Sequence, residues 1–141
     1  MVDFEFLEHT ADIAVRVYAP SMEDLFISSA KVMFGIITDY ESSSVKKRNI
    51  YLEAKSCEDL LVYWLNELLS LFYSYNFLPY AYNIKIGKKT TKEKKYFLKG
   101  EVEGEIVPSP EVKTEVKAAT YHDIKIEKNH DRFKVDIVFD V

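Results

Sequence analysis

The sequence predicts an α+β fold: two helices packed on a mostly antiparallel β-sheet, in a two-layer single domain spanning residues 1–141. Three observations point there. Two stretches carry apolar residues at three- and four-residue steps, the spacing of amphipathic helices. The segments flanking them, and most of the chain after residue 80, alternate apolar with polar residues, the period of strands with one buried face. Nothing linker-like divides the two kinds, since Gly and Pro number only four each. Helices and hairpins in one short chain bury their apolar faces against each other.

The chain opens on "FEFLE", which alternates, followed by "DIAVRVYA", which is rich in β-branched residues. The pair predicts a hairpin turning across His9, Thr10 and Ala11, with Thr10 placed to cap the turn locally. Ser21, after Pro20 and three residues before Asp24, has the pattern of a capping box. Leu25, Phe26, Ala30, Met33, Phe34 and Ile37 give the first helix its apolar stripe. "DYESSS" reads as loop and "RNIYLEA" as strand. The second helix opens with nearly the same letters, "SCEDL" beside "SMEDL". An echo of five residues needs no more than shared capping chemistry, so it is not read as a repeat. Leu60, Leu61, Trp64, Leu65, Leu68, Leu69 and Phe72 form a wide apolar face, and residues 76 to 79 end the helix. "AYNIKIG" is a strand, "KKTTKEKK" a turn and "YFLKGEVEGEIV" a strand. "PSPE" is a loop, and "TEVKAATYHDIKIEK" carries one or two strands. "RFKVDIVFDV" closes the chain, with Phe133, Val135, Ile137 and Phe139 on one face.

Composition narrows the function classes. Apolar residues make up 48% of the chain, enough for a substantial core. A net charge of −4 argues against coating nucleic acid by bulk electrostatics, while leaving room for a local basic patch. Cys57 stands alone, which excludes an intramolecular disulfide and a Cys-rich zinc site and suits a reducing, cytoplasmic setting. No basic region followed by an apolar run opens the chain, so no secretory signal is expected. The most apolar stretch, 60 to 73, is interrupted by Asn66 and Glu67 and is too short to span a bilayer, so no membrane partner is expected. No glycine-rich phosphate loop is present.

Candidate chemistry lies mainly at the two ends. The last strand runs to Asp140 and Val141, which would hold a side-chain carboxylate beside the main-chain carboxylate. One reading is a frayed end; the other joins the pair to a second ordered acid to hold a hard divalent cation. Asp12 is a candidate for that acid, although spacing alone does not establish it. His9 reads either as a hydrogen-bonded structural residue or as a proton-transfer group, with no Ser or Cys nucleophile motif near it. Cys57, at a helix start, is a small packing residue or a thiol activated by the helix dipole. His122 and His130 lack metal-ligand spacing. Lys85, Lys88, Lys89, Lys92, Lys94 and Lys95 crowd one turn; they read as a solvated loop or as a contact for RNA phosphates or an acidic partner. No aromatic interleaves that run before Tyr96, so base stacking is not expected from it. Lys117, among strand-like residues, is a snorkelling rim residue or a positioned cation for phosphate.

Together "FEFLEHTADIAVRVYA", "DLLVYWLNELLSLF", "EVKAATYH" and "VDIVFDV" resemble the archease family, in order and over nearly the whole chain. The resemblance implies a small cytoplasmic α+β protein that is not itself an enzyme. It implies a partner, the GTP-dependent RNA ligase of tRNA splicing, which joins a 3′-phosphate or 2′,3′-cyclic phosphate end to a 5′-hydroxyl. The expected role is to promote guanylylation of that ligase and its repeated turnover, with GTP bound only by the ligase and tRNA met indirectly. A chaperone role toward a tRNA methyltransferase is the alternative, and a metal-dependent phosphodiesterase ranks below both. By the same resemblance a calcium site, or a site for another divalent cation, falls on Asp12, Asp140 and Val141. Ligase activation falls on Asp12, Lys117 and Asp140, with His9 as a secondary candidate. Family members often carry a His in the loop before "EVKA"; here that loop reads "GEIVPSPEVKTEVKA" and has none.

Overall fold

The computed structural model describes residues 2–9, 12–90 and 92–141. In chain order these form β1 (Asp3–Leu7), β2 (Ile13–Ala19), α1 (Met22–Ile37), β3 (Lys46–Ala54), α2 (Cys57–Tyr75), β4 (Phe77–Thr90), β5 (Lys94–Ile106), β6 (Ala118–Ala119), β7 (Ile126–Asn129) and β8 (Arg132–Asp140). The α+β class holds, and every strand pairing is antiparallel. The strands divide between two sheets, however, where alternation suggested one. Five form the order β1-β2-β8-β6, with β7 also pairing β8, and three form β3-β5-β4. The physical reason is non-local: β3 finds its partner in β5, after the whole of α2 and β4 have intervened.

Both helices start as the capping pattern requires. Ser21 and Ser56 each sit in extended backbone and accept the N–H of the residue three positions on, Asp24 at 3.1 Å and Asp59 at 3.0 Å. The repeated lettering has a further use. Glu23 accepts the N–H of Ile86 in β4, and Glu58 accepts the N–H of Ile126 in β7, so each helix start ties down a strand. Asn76 ends α2 in the left-handed conformation, donating its N–H to Phe72.

The apolar stripes of α1 and α2 meet one hydrophobic cluster that draws on both sheets. Val15, Val17, Val135, Ile137 and Phe139 come from the five-stranded sheet, and Ile50, Leu98 and Val102 from the three-stranded one. Trp64 is fully buried and donates its indole N–H to the carbonyl of Phe26, joining α2 to α1 at 3.0 Å.

The hairpin of β1 and β2 forms as expected, but Thr10 and Ala11 lie outside the described residues, as does any capping by Thr10. The expected turn "KKTTKEKK" is mostly strand: β4 and β5 stay paired out to Thr90 and Lys94, and Thr91 lies outside the described residues. His130 sits at a tight hairpin between β7 and β8 with φ of 56°, a structural position. Among the described residues no helix is long and apolar enough to cross a membrane.

Candidate functional site

β8 lies beside β2, and this brings the two ends of the sequence together. Ile13 pairs with Phe139 and Ala14 with Val138. The ladder ends at that rung: Asp12, in a bend, precedes Ile13, and Asp140 follows Phe139, so both acids adjoin the same end of the β2–β8 pair. Phe139 turns toward the core, so alternation along β8 directs the Asp140 carboxylate to the face away from the helices. Asp140 is exposed and Asp12 half-buried, while the Val141 side chain packs against the core.

On its other side, Asp140 meets the segment that carries Lys117. Ala118 pairs with Asp140, and the Lys117 main-chain N–H donates to the Asp140 carbonyl at 2.8 Å. Lys117 itself is exposed, which removes the reading of a lysine buried along its stem. Thr120 adds two bonds, its N–H at 3.0 Å and its hydroxyl at 2.9 Å both donating to Val138.

This segment is held from behind by α2. The Asn66 amide donates to the Ala119 carbonyl at 3.1 Å and accepts the Ala119 N–H at 2.8 Å, completing the short strand β6 as a neighbouring strand would. Seven residues along the same helix face, the Tyr73 hydroxyl donates to the carbonyl of Val116 at 2.8 Å. The sequence reading passed over both. Their signal was an amide and a phenol on an otherwise apolar helix.

His9 lies at the same end. Its ring stands edge-on to that of His122, with centroids 5.7 Å apart. His122 Nε2 in turn lies 3.3 Å from Asp123. The contact joins the β1–β2 turn to the turn after Thr120, and no sequence spacing announces it.

Cys57 does not join this group. Burial pushes its thiol above the ordinary value, and the neighbouring Glu58 carboxylate adds to the shift. The helix start therefore yields no activated nucleophile, and the small packing residue is the reading that holds.

Residues 4–141 match the archease protein family (MTH1598/TM1083). The chain belongs to the archease family. An archease from Methanosarcina mazei is 34% identical over 141 residues, covering 98% of this chain and 95% of the relative. One from Saccharolobus islandicus, strain Y.G.57.14, is 35% identical over 144 residues, with both chains covered in full. Among solved structures, Methanobacterium thermoautotrophicum protein 1598 superposes with a TM-score of 0.77 at 26% identity, covering 98% of each chain. An archease from Thermotoga maritima, described as a possible chaperone, shares the fold with a TM-score of 0.59 at 24% identity and covers 96% of this chain and 94% of its own.

The candidate donors at this end of the sheet are oxygens: the Asp12 and Asp140 carboxylates and the Val141 main chain. Such donors suit a hard divalent cation, which takes six to eight ligands if it is calcium. Among the described residues no group of three or more His, Cys, Asp or Glu side chains is arranged to hold a metal. The donor set fits an ion completed by water or by a second protein better than one caged by this chain.

Proposed function

We propose that this archease is an accessory factor, not an enzyme, for the GTP-dependent RNA ligase of tRNA splicing. It would promote ligase guanylylation and multiple turnover in joining 3′-phosphate or 2′,3′-cyclic phosphate ends to 5′-hydroxyl ends. One juxtaposition supports the reading: Asp12 and Asp140 flank the last β2–β8 rung, Ile13 with Phe139, and the main chain of Lys117 is bonded to Asp140. Two carboxylates and a cation at one exposed end can engage a metal and a phosphate in a partner's active site. Asp12, Asp140 and Val141 would hold calcium or another divalent cation, supplying oxygen ligands that the ligase or water completes. GTP stays with the ligase, and the setting is cytoplasmic.

The test is Asp140→Ala in a ligase guanylylation and multiple-turnover assay. Loss of stimulation supports the assignment, and full stimulation sinks it. A thermal melt with and without calcium gives a readout independent of the ligase. Calcium should raise the melting temperature of the wild type and leave Asp140→Ala unmoved.

A second reading is a chaperone for a tRNA-modifying enzyme such as a methyltransferase; the Thermotoga maritima neighbour is described as a possible chaperone, with no client named. Pull-down from native lysate separates the two, because the retained partner differs. A metal-dependent phosphodiesterase is disfavoured by the sparse set of ligands among the described residues.

A further inference from the structure

The lysines expected to form a solvated loop lie instead along a paired hairpin, where they join a surface that no other reading uses. On the three-stranded sheet, Ile50, Leu98 and Val102 face the core. The alternate positions form the outer face. Register sets Tyr51 beside Lys99 and Lys99 beside Lys85 in one row, and Glu53 beside Phe97 and Phe97 beside Gly87 in the next. Lys95 and Lys89 form the row beyond.

Two aromatic rings lie on this face. Tyr51 is 54% exposed, and its ring stacks with that of Phe97 at 6.5 Å between centroids and 16° between planes. The Phe97 ring covers Gly87 closely: a Cβ there would stand 2.6 Å from Phe97 Cζ. Glycine at 87 therefore lets the ring lie against the backbone of β4. The result is an aromatic pair on the outer face, with Lys89 Nζ lying over the Tyr51 ring 5.6 Å from its centroid, so a stacking base would take that position as the lysine swings to a phosphate.

Four lysines surround the aromatic pair, at 85, 89, 95 and 99, against two acids, Glu53 and, one row on from Lys99, Glu101. Glu53 is already engaged, paired with Lys89 and Lys95 and accepting the Tyr51 hydroxyl. Lys85 and Lys99 are exposed and make no ion pair among the described residues. They flank a shallow depression of about 490 Å³ that Asn49, Asn83 and Glu101 also line, the last paired with Lys47 at 3.9 Å. A chain of net charge −4 thus concentrates positive charge on one small sheet face.

We propose that this face binds single-stranded RNA, with bases stacking on Tyr51 and Phe97 and phosphates meeting Lys85 and Lys99. Stacking on a sheet needs unpaired bases, and cations beside the rings follow the backbone. The choice of RNA rests on the reading of the chain as a factor for an RNA ligase. The face lies on the three-stranded sheet, whereas Asp12 and Asp140 belong to the end of the five-stranded one. Base stacking, not expected from the lysine run alone, becomes available because β3 and β5 supply the rings from outside it.

The experiment is fluorescence anisotropy of the purified full chain with a labelled, unstructured oligoribonucleotide of about ten nucleotides. The expected result is binding to the single strand and much weaker binding to a duplex of the same sequence. Tyr51→Ala should weaken binding about tenfold, while Tyr51→Phe, which keeps the ring, should retain it. Replacing Lys85 and Lys99 together by Gln should flatten the slope of log affinity against log salt by about 1.4. Circular dichroism and a thermal melt confirm that each variant is folded. Unchanged affinity in Tyr51→Ala, or equal binding of the duplex, would overturn the proposal. Preferential binding of polyglutamate over RNA would also overturn it and mark the face as a protein-docking surface. The measurement needs no ligase, and Asp140→Ala should bind RNA as the wild type does, so failure here is distinguishable from failure of the accessory-factor reading.

Discussion

Asn66→Ala should loosen the segment that carries Lys117, by an amount the structure allows to be worked out. The wild-type amide makes two bonds to Ala119, one in each direction. Net, such bonds contribute about 0.5–1.5 kcal/mol each. Ala119 is only 3% exposed, so water cannot easily replace the lost acceptor for its N–H. An unsatisfied buried donor costs about 1–3 kcal/mol, while alanine returns about 0.5 kcal/mol through better helix propensity. The balance is a loss of about 2–3 kcal/mol, or a fall of roughly 6–10 °C in melting temperature for a chain of this length.

Urea denaturation gives the loss directly, and amide hydrogen exchange at Ala119 locates it. Asn66→Asp is the informative control. It keeps an acceptor for the Ala119 N–H but removes the donor to the carbonyl, so its loss should be smaller. If Asn66→Ala costs under about 0.5 kcal/mol and Ala119 exchanges as slowly as in the wild type, then β8 alone holds β6 and the bracing role of α2 is wrong. On the accessory-factor reading, ligase stimulation by Asn66→Ala should fall even at temperatures where the variant is fully folded.

Three further outcomes follow from other parts of the fold. Gly100→Ala should cost about 3 kcal/mol or more, because its Cβ would stand 2.1 Å from the Asn83 carbonyl oxygen and 2.7 Å from Ile84 Cα, backbone that cannot give way; a chemical melt checks this. Ser21→Ala and Ser56→Ala should each lose about 1 kcal/mol, and the double variant about 2, since they cap different helices. Asp136 makes a two-pronged bond with Arg16, which holds its carboxyl below the ordinary value. A depressed value means stability that is complete above about pH 4 and drains away as pH falls further. The stability gap between the wild type and Asp136→Asn should therefore close in acid, and a gap unchanged down to about pH 2 would refute the linkage.

The helices were legible because everything that makes them is local. Serine caps, acidic first turns and apolar steps of three and four all lie within a few residues of each other. The β1–β2 hairpin was legible for the same reason. The division into two sheets was not, because β2 and β3 carry the same period of two and nothing in that period names a partner. The lysine hairpin was hidden by the same logic. Toward its tip, Lys88, Lys89, Lys94 and Lys95 replace the apolar residues that would mark a buried side, so strand and loop look alike in sequence. Gly87 and Gly100 were the remaining signals, each marking a close approach that only the folded pairing reveals. At the candidate site, resemblance named Asp12, Lys117 and Asp140, but of their braces Asn66 had read as an interruption of an apolar stretch and Tyr73 as part of it.

The outer face of β2 and β8 can be followed rung by rung, and the charges along it are unequal. Arg16 opposite Asp136 is neutralised within the sheet, and Ala14 opposite Val138 is apolar. Beyond the last rung come Asp12 and Asp140, and among the described residues neither has a cation within ion-pair distance. Like charges brought together at one end of a sheet are destabilising, and a lysine in place of either would remove that cost. On the accessory-factor reading the missing positive charge comes from outside, as a divalent ion or a group on the ligase. The same pair that is slightly unfavourable in the isolated chain then becomes a source of binding energy in the complex, because the repulsion is relieved only there. The Asn66 brace fits this economy, since an unbalanced pair at a sheet end would otherwise be free to splay before a partner arrived.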